Sequence, residues 1–181
     1  PISLSYPPMT DQYAVLVQGS SGFGNYRHQA DVLSVYQMLR SGGFPDDHII
    51  LVLDKDMALD GKNPMPGIVR CAEDGPDLLA GSDGLPAAVV DYDNKDISPS
   101  DIADILLGNR SGRLPTVLSQ DAGANVFLYW SGHGDSLSNG GADEFCWRDN
   151  SRGEGFGAGL LGETLRGMEF RKVLICAEPC Y

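Results

Sequence analysis

Short apolar runs alternate with helix-period patterns along this chain, and the alternation is the first guide to its architecture. Tyr13-Ala-Val-Leu-Val17 predicts a first strand. A Gly/Ser loop, Gly19 to Gly24, follows it. A helix is then expected over about Tyr26 to Ser41, because Val32, Val35, Tyr36 and Leu39 recur at i, i+3, i+4 and i+7 and make one buried face. Gly42-Gly43 is the expected stop. His48-Ile-Ile-Leu-Val-Leu53 predicts the second strand.

From Asp54 to Asp96 the pattern dissolves into Pro, Gly and Asp. A compact domain keeps so long an irregular excursion where it borders a site or an interface, and that is the expectation here. Ser98-Pro-Ser-Asp101 is a helix start, with a Ser cap, Pro at the first helical position and an acid three residues beyond the cap. That helix should reach about Leu107, ahead of Gly108. Asn125-Val-Phe-Leu-Tyr-Trp130 is the third strand, and its near-continuous apolarity implies burial on both faces. A Gly-rich loop leads to a short helix around Leu160 to Met168, and Lys172-Val-Leu-Ile-Cys176 is the fourth strand. Strands alternating with helices imply right-handed crossovers and a parallel sheet covered on both faces, an α/β fold read as one domain over 1–181. Ligands bind such folds outside the carboxyl ends of the strands.

Composition narrows the function. Thirteen basic against 25 acidic residues leave a net charge of −12, which repels nucleic-acid backbones and anionic membranes, so no nucleic-acid partner is expected. The longest apolar runs are about five to seven residues, too short for a membrane span. Pro1 to Met9 carries no basic region followed by an apolar stretch; a signal peptide, had one existed, is expected to have been removed, which suits an extracytoplasmic or secreted setting. Cys71, Cys146, Cys176 and Cys180 form no C-x-x-C pair and no cluster with histidine, so neither a structural zinc nor any other metal or cofactor is expected.

Three strand ends carry chemistry. Gly19 to His28 could wrap an anion with its amides. No Lys-Ser/Thr follows, however, and Arg27 stands where a G-x-G-x-x-G pattern needs its last glycine, which excludes a standard nucleotide loop. His133 lies between Gly132 and Gly134, so its imidazole is accessible and the Gly134 amide is free to face a developing oxyanion. Cys180 follows Glu178 and Pro179 just beyond the fourth strand. A histidine and a cysteine at the carboxyl ends of two neighbouring strands need little further approach to act as base and nucleophile. Cys176, inside the strand pattern, reads as core.

Asn25-Tyr-Arg-His-Gln-Ala-Asp-Val32, with Tyr36-Gln-Met-Leu39, resembles the legumain family of caspase-like cysteine peptidases. Asn63-Pro-Met-Pro-Gly67, Asp91-Tyr92, Asp96-Ile-Ser-Pro99, Asn125-Val-Phe-Leu-Tyr129 and His133-Gly134 continue the resemblance in order, so that it spans roughly Tyr13 to Cys180. It implies a three-layer α/β/α caspase-like fold with a mainly parallel sheet, incomplete after the strand that leads to the cysteine. It implies a peptide or protein substrate cut after Asn, or after Asp in acid. Cys180 would be the nucleophile, His133 the catalytic histidine and Asn25 its support, with Gly134 an oxyanion-hole donor beside the Cys180 amide. Arg27, His28 and Glu178 would line the pocket for the side chain before the cut. One amide offers a donor and an acceptor, which suits a pocket holding an anion and a cation.

The chain departs from that pattern in three places. Legumains typically carry Asp directly before the histidine; Gly132 stands there, closer to the GPI-anchor transamidase subunit and to bacterial caspase-like peptidases. Pro179 precedes the nucleophile and restricts the backbone there. The sequence ends at Tyr181, whereas the family continues with a further strand, a helix and the far wall of the pocket. A companion carboxy-terminal chain from the same precursor is therefore the expected partner. The alternatives are a transamidase or peptide ligase using the same thioester, or a non-catalytic module on the same fold.

Overall fold

The computed structural model describes residues 11–82, 84–135, 144–146 and 155–179. Five parallel strands form the main sheet in the order β3-β2-β1-β4-β8: β1 Gln12–Gln18, β2 Ile49–Leu53, β3 Tyr92–Asp93, β4 Asn125–Ser131 and β8 Lys172–Glu178. A small antiparallel sheet, β5 Gly134–Asp135, β6 Glu144–Cys146 and β7 Gly155–Gly157, branches off directly after β4. The helices are α1 Tyr26–Ser41, α2 Pro99–Leu106 and α3 Ala158–Gly167.

Successive side chains of β1 point to opposite faces, and both faces are buried. Ala14 and Leu16 pack with Leu51, Leu53 and Tyr129 under Ala30, Leu33 and Tyr36 of α1. Val15 and Val17 pack with Val52, Leu128 and Trp130 under Ile102, Ile105 and Leu106 of α2, and Leu161 and Leu165 of α3 join them. This is the expected three-layer α/β/α arrangement. α1 ends where Gly43 takes φ 93°, a left-handed conformation open to glycine, and the chain turns back so that the Phe44 amide donates to the Leu39 carbonyl at 3.0 Å. α2 starts on a capping box in which Ser98 Oγ accepts from the Asp101 amide and Asp101 Oδ2 accepts from the Ser98 amide.

Three findings differ from the sequence reading. The stretch read as a Gly-rich loop ahead of α3 carries the small β5–β7 sheet, whose strands of two or three residues are too short to show a period. The excursion after β2 contains a fifth strand: β3 is only two residues long, too short for period-2 alternation to mark it. Cys176 is not core but exposed. β8 is an edge strand of the described sheet, and its Leu174, Cys176 and Glu178 lie exposed on the α1 side, while Val173, Ile175 and Ala177 turn toward the α2–α3 core. Alternation does place Cys176 on one face of a strand, but among the described residues nothing covers that face.

Candidate active site

The β1–α1 and β4–β5 connections leave the carboxyl end of the sheet side by side. Gln18 and Ser131 are register partners, and the Gly19 amide extends the pairing by donating to the Ser131 carbonyl at 2.8 Å. The contact is tight: a Cβ on Gly132 would lie 3.2 Å from Gly19 Cα and 3.2 Å from Trp130 Nε1. Beyond it, Phe23–Asn25 forms a 3-10 turn that runs into α1.

Asn25 reaches across to His133. Its Nδ2 donates to the Ser21 carbonyl at 2.7 Å, and its Oδ1 lies 2.7 Å from His133 Nε2. A carbonyl only accepts, so the amide cannot be reversed, and the atom facing the imidazole is an acceptor. Nε2 therefore carries the proton, and Nδ1 is left as the basic nitrogen. Gly134 opens β5, with Phe145 as its backbone register partner.

His28 supports the other side of this imidazole. Its ring meets that of His133 edge-on, with centroids 5.0 Å apart. It is buried, Ser20 Oγ sits 2.7 Å from Nδ1, and Arg27 Nε donates to Nε2 at 3.0 Å. Burial, then the positive Arg27 and the neighbouring His133, pull its pKa down to about 4, so the ring is neutral at ordinary pH. Arg27 itself is exposed.

Glu178, the last residue of β8, is the register partner of Ser131 and is hydrogen-bonded to the buried Tyr129 hydroxyl, which burial and that contact hold well above the usual phenol range. Asp31 lies one helical turn beyond Arg27 and accepts from Ser131 Oγ at 3.3 Å. Burial and the nearby Glu178 raise its carboxyl above the ordinary range, against the Ser131 hydrogen bond and the charge of Arg27. Arg27 and Glu178 thus border the same carboxyl from two elements. Cys180 lies outside the described residues, two positions past Glu178.

A buried polar frame holds the Asn25 loop from behind. Asp54 Oδ2 accepts from the Gly22 amide at 2.8 Å, and Asn94 Nδ2 donates to the Gln18 and Ser20 carbonyls at 3.1 and 2.7 Å. Ser21 Oγ donates to Asn94 Oδ1 at 3.0 Å, and Gln18 Oε1 accepts from the Asp54 amide at 2.9 Å. Asp54, Asp56 and Asp93 converge as three carboxylates do around a cation, and Lys95 Nζ takes that place, at 2.6, 2.7 and 3.7 Å from them. Burial alone would raise the Asp54 carboxyl, but the Gly22 amide and Lys95 outweigh it and hold it below the usual range.

The long excursion borders the site, as expected. Its Met65, Ile68 and Arg70 meet Phe23 and Tyr26, on either side of Asn25, around an open cavity of about 430 Å³. Asn63 organises its own loop, donating from Nδ2 to Ala58 and Ile68 carbonyls and accepting from the Met65 amide. Sequence reasoning did not single out Asp31, Asp54, Asn94 or Lys95. Asp31 had a signal, the i, i+4 spacing from Arg27, whereas Asp54 acts through the Gly22 amide, Asn94 through the Gln18 and Ser20 carbonyls, and Lys95 through carboxylates brought together by the fold, none of which a side-chain pattern reveals.

Comparison with known proteins places these residues in context. The Peptidase C13 family profile matches residues 12–145. The chain is 37% identical over 174 residues to the vacuolar-processing enzyme delta-isozyme of Arabidopsis thaliana, covering 93% of this chain and 34% of that protein. It is 36% identical over 140 residues to legumain of Canavalia ensiformis, with 74% of this chain and 28% of that protein covered. A vacuolar-processing enzyme of Ricinus communis is 40% identical over 126 residues, covering 68% and 24%. The chain therefore spans about a quarter to a third of the length of these curated relatives.

Proposed function

The chain belongs to the Peptidase C13 family, and on that premise we propose that it carries the catalytic residues of a cysteine endopeptidase cutting after asparagine or aspartate. One observation carries the reading: Asn25, locked by the Ser21 carbonyl, fixes the proton of His133 on Nε2 and leaves Nδ1 as a base on the strand beside the one that leads to Cys180.

In this reading His133 Nδ1 takes the Cys180 thiol proton, and the thiolate attacks the scissile carbonyl. The amides of Gly134 and Cys180 hold the oxyanion. As the carbon–nitrogen bond breaks, His133 returns the proton to the departing amine, leaving a thioester. Water, deprotonated by His133, then hydrolyses the thioester and restores the thiol. Arg27 and Glu178 hold the side chain before the cut, the guanidinium donating to its carbonyl oxygen and the carboxylate accepting from its amide NH2.

A companion carboxy-terminal segment belongs to the same proposal. Among the described residues the α1-side face of β8 is uncovered and its outer edge unpaired, which suits a further strand and helix. With that segment in place Cys176 should resist iodoacetamide, and in the 181-residue chain alone it should react. Equal labelling in both would remove this part of the proposal.

Fluorogenic peptides differing only in the residue before the cut test the activity. Cleavage is expected after Asn, and after Asp at acid pH, and is lost in Cys180→Ala. Cleavage after Lys or Arg alone would overturn the reading.

A further inference from the structure

We propose that Asp31 is a specificity-determining residue: with Glu178 it gives the pocket two carboxylates against one guanidinium, so that a substrate carboxylate is refused where an amide is accepted. This rests on the asparagine-directed reading above and concerns a residue to which that reading assigns no task.

The geometry comes from three elements. Asp31 stands one turn beyond Arg27 on α1, so both side chains lie on one face of the helix. It accepts from Ser131 Oγ on β4 at 3.3 Å. Ser131 is in register with Glu178 on β8, and Glu178 in turn holds the Tyr129 hydroxyl. The charged and titratable groups facing Asp31 are thus Arg27 from its own helix and Glu178 from β8, with Ser131 and Tyr129 of β4 as the hydroxyls between them.

The charge count decides what such a pocket admits. With both carboxyls ionised, Arg27 is outnumbered, and a second anion brought in by the substrate meets net repulsion. An asparagine amide brings no charge and pairs with both signs. Burial and the nearby Glu178 hold the Asp31 carboxyl above the ordinary carboxylate range, so it takes a proton more readily than a free aspartate as the pH falls. A proton there leaves one carboxylate against one guanidinium, and an aspartate side chain then becomes tolerable. Asp31 is in this way a built-in limit on the pH at which aspartate is accepted.

Asp31→Asn tests this, because the amide oxygen still accepts from Ser131 while the charge is gone. In the intact protein the ratio of kcat/KM for Asp over Asn peptides should rise at least about tenfold at pH 7, and Asp cleavage should extend to higher pH. Asp31→Glu, which keeps the charge, should hold the ratio near that of the unsubstituted protein. In the unsubstituted protein, carbon NMR of the aspartate carboxyls should show Asp31 titrating over the pH range in which Asp cleavage appears, a readout that needs no variant to fold. Normal Asn cleavage with an unchanged ratio in Asp31→Asn, or an Asp31 titration far from that range, would overturn the role of Asp31 and leave the asparagine-directed reading standing. No cleavage after either residue by the unsubstituted protein would overturn both.

Discussion

His133 Nε2 and Asn25 Oδ1 are 2.7 Å apart, and the Ser21 carbonyl on the far side of the Asn25 amide decides which of the two donates. Asn25→Ala should free the imidazole to take either tautomer and lower kcat about ten- to a hundredfold, with KM little changed. Asn25→Asp keeps an acceptor but adds a charge that favours the imidazolium, so the acid limb of the pH–rate profile should move upward. An unshifted limb would show that Asn25 acts by packing alone.

Cys180→Ala should abolish cleavage, and His133→Ala should lower turnover by about two to four orders of magnitude without unfolding the chain. Because Cys71 and Cys176 are exposed thiols, alkylation has to be mapped peptide by peptide. Inactivation should track the label on Cys180. Full activity with Cys180 alkylated, or near-normal turnover in His133→Ala, would end the dyad.

His28 makes stability depend on pH. Its folded pKa of about 4 lies below the ordinary 6.5, so the folded state resists the proton that the unfolded chain accepts. The contribution is present above about pH 6.5 and is lost progressively as the pH falls toward 4, by at most about 3 kcal/mol. Urea midpoints at pH 7 and 4 should fall further for the parent chain than for His28→Gln. Parallel losses would contradict a buried neutral ring.

Lys95→Met should destabilise the fold by about 1–3 kcal/mol at pH 7, since it strands the Asp54 carboxylate while Lys95 itself is partly solvated. Asp54 is held below the ordinary carboxylate range in the parent chain, so its stabilisation is complete above that range and fades as acid protonates it. Without Lys95 the proton becomes welcome. The deficit of the variant should therefore shrink between pH 7 and 4; a deficit that stays constant would mean the ammonium does not hold this carboxylate.

Most of the frame was legible because its signals are local. Apolar runs, the α1 face and the Ser98–Asp101 box each declare an element within a few residues, and those elements sit where the pattern put them. What escaped depends on distant partners. β3 exists because β2 offers it an edge, Cys176 is exposed because nothing among the described residues covers its face of β8, and Lys95 finds its carboxylates across the sheet end. The motif around Asn25 was visible as residues, but the fixed direction of its hydrogen bond required the Ser21 carbonyl, which has no side-chain signature.

The close approach of Gly132 to Gly19 has a consequence for descent. Where two loops settle against each other at a bare backbone, the position between them is closed to a side chain. Aspartate, which legumains typically carry before the histidine, would now have to part the segments that hold Asn25 and His133 in register by a few tenths of an ångström before it could be seated. A lineage acquiring it would first need a change that widens the gap at Gly19, and that change would weaken the existing alignment before any benefit arrived. The order of substitutions is thereby constrained, and position 132 behaves less as a free choice than as one tied to its neighbour at 19.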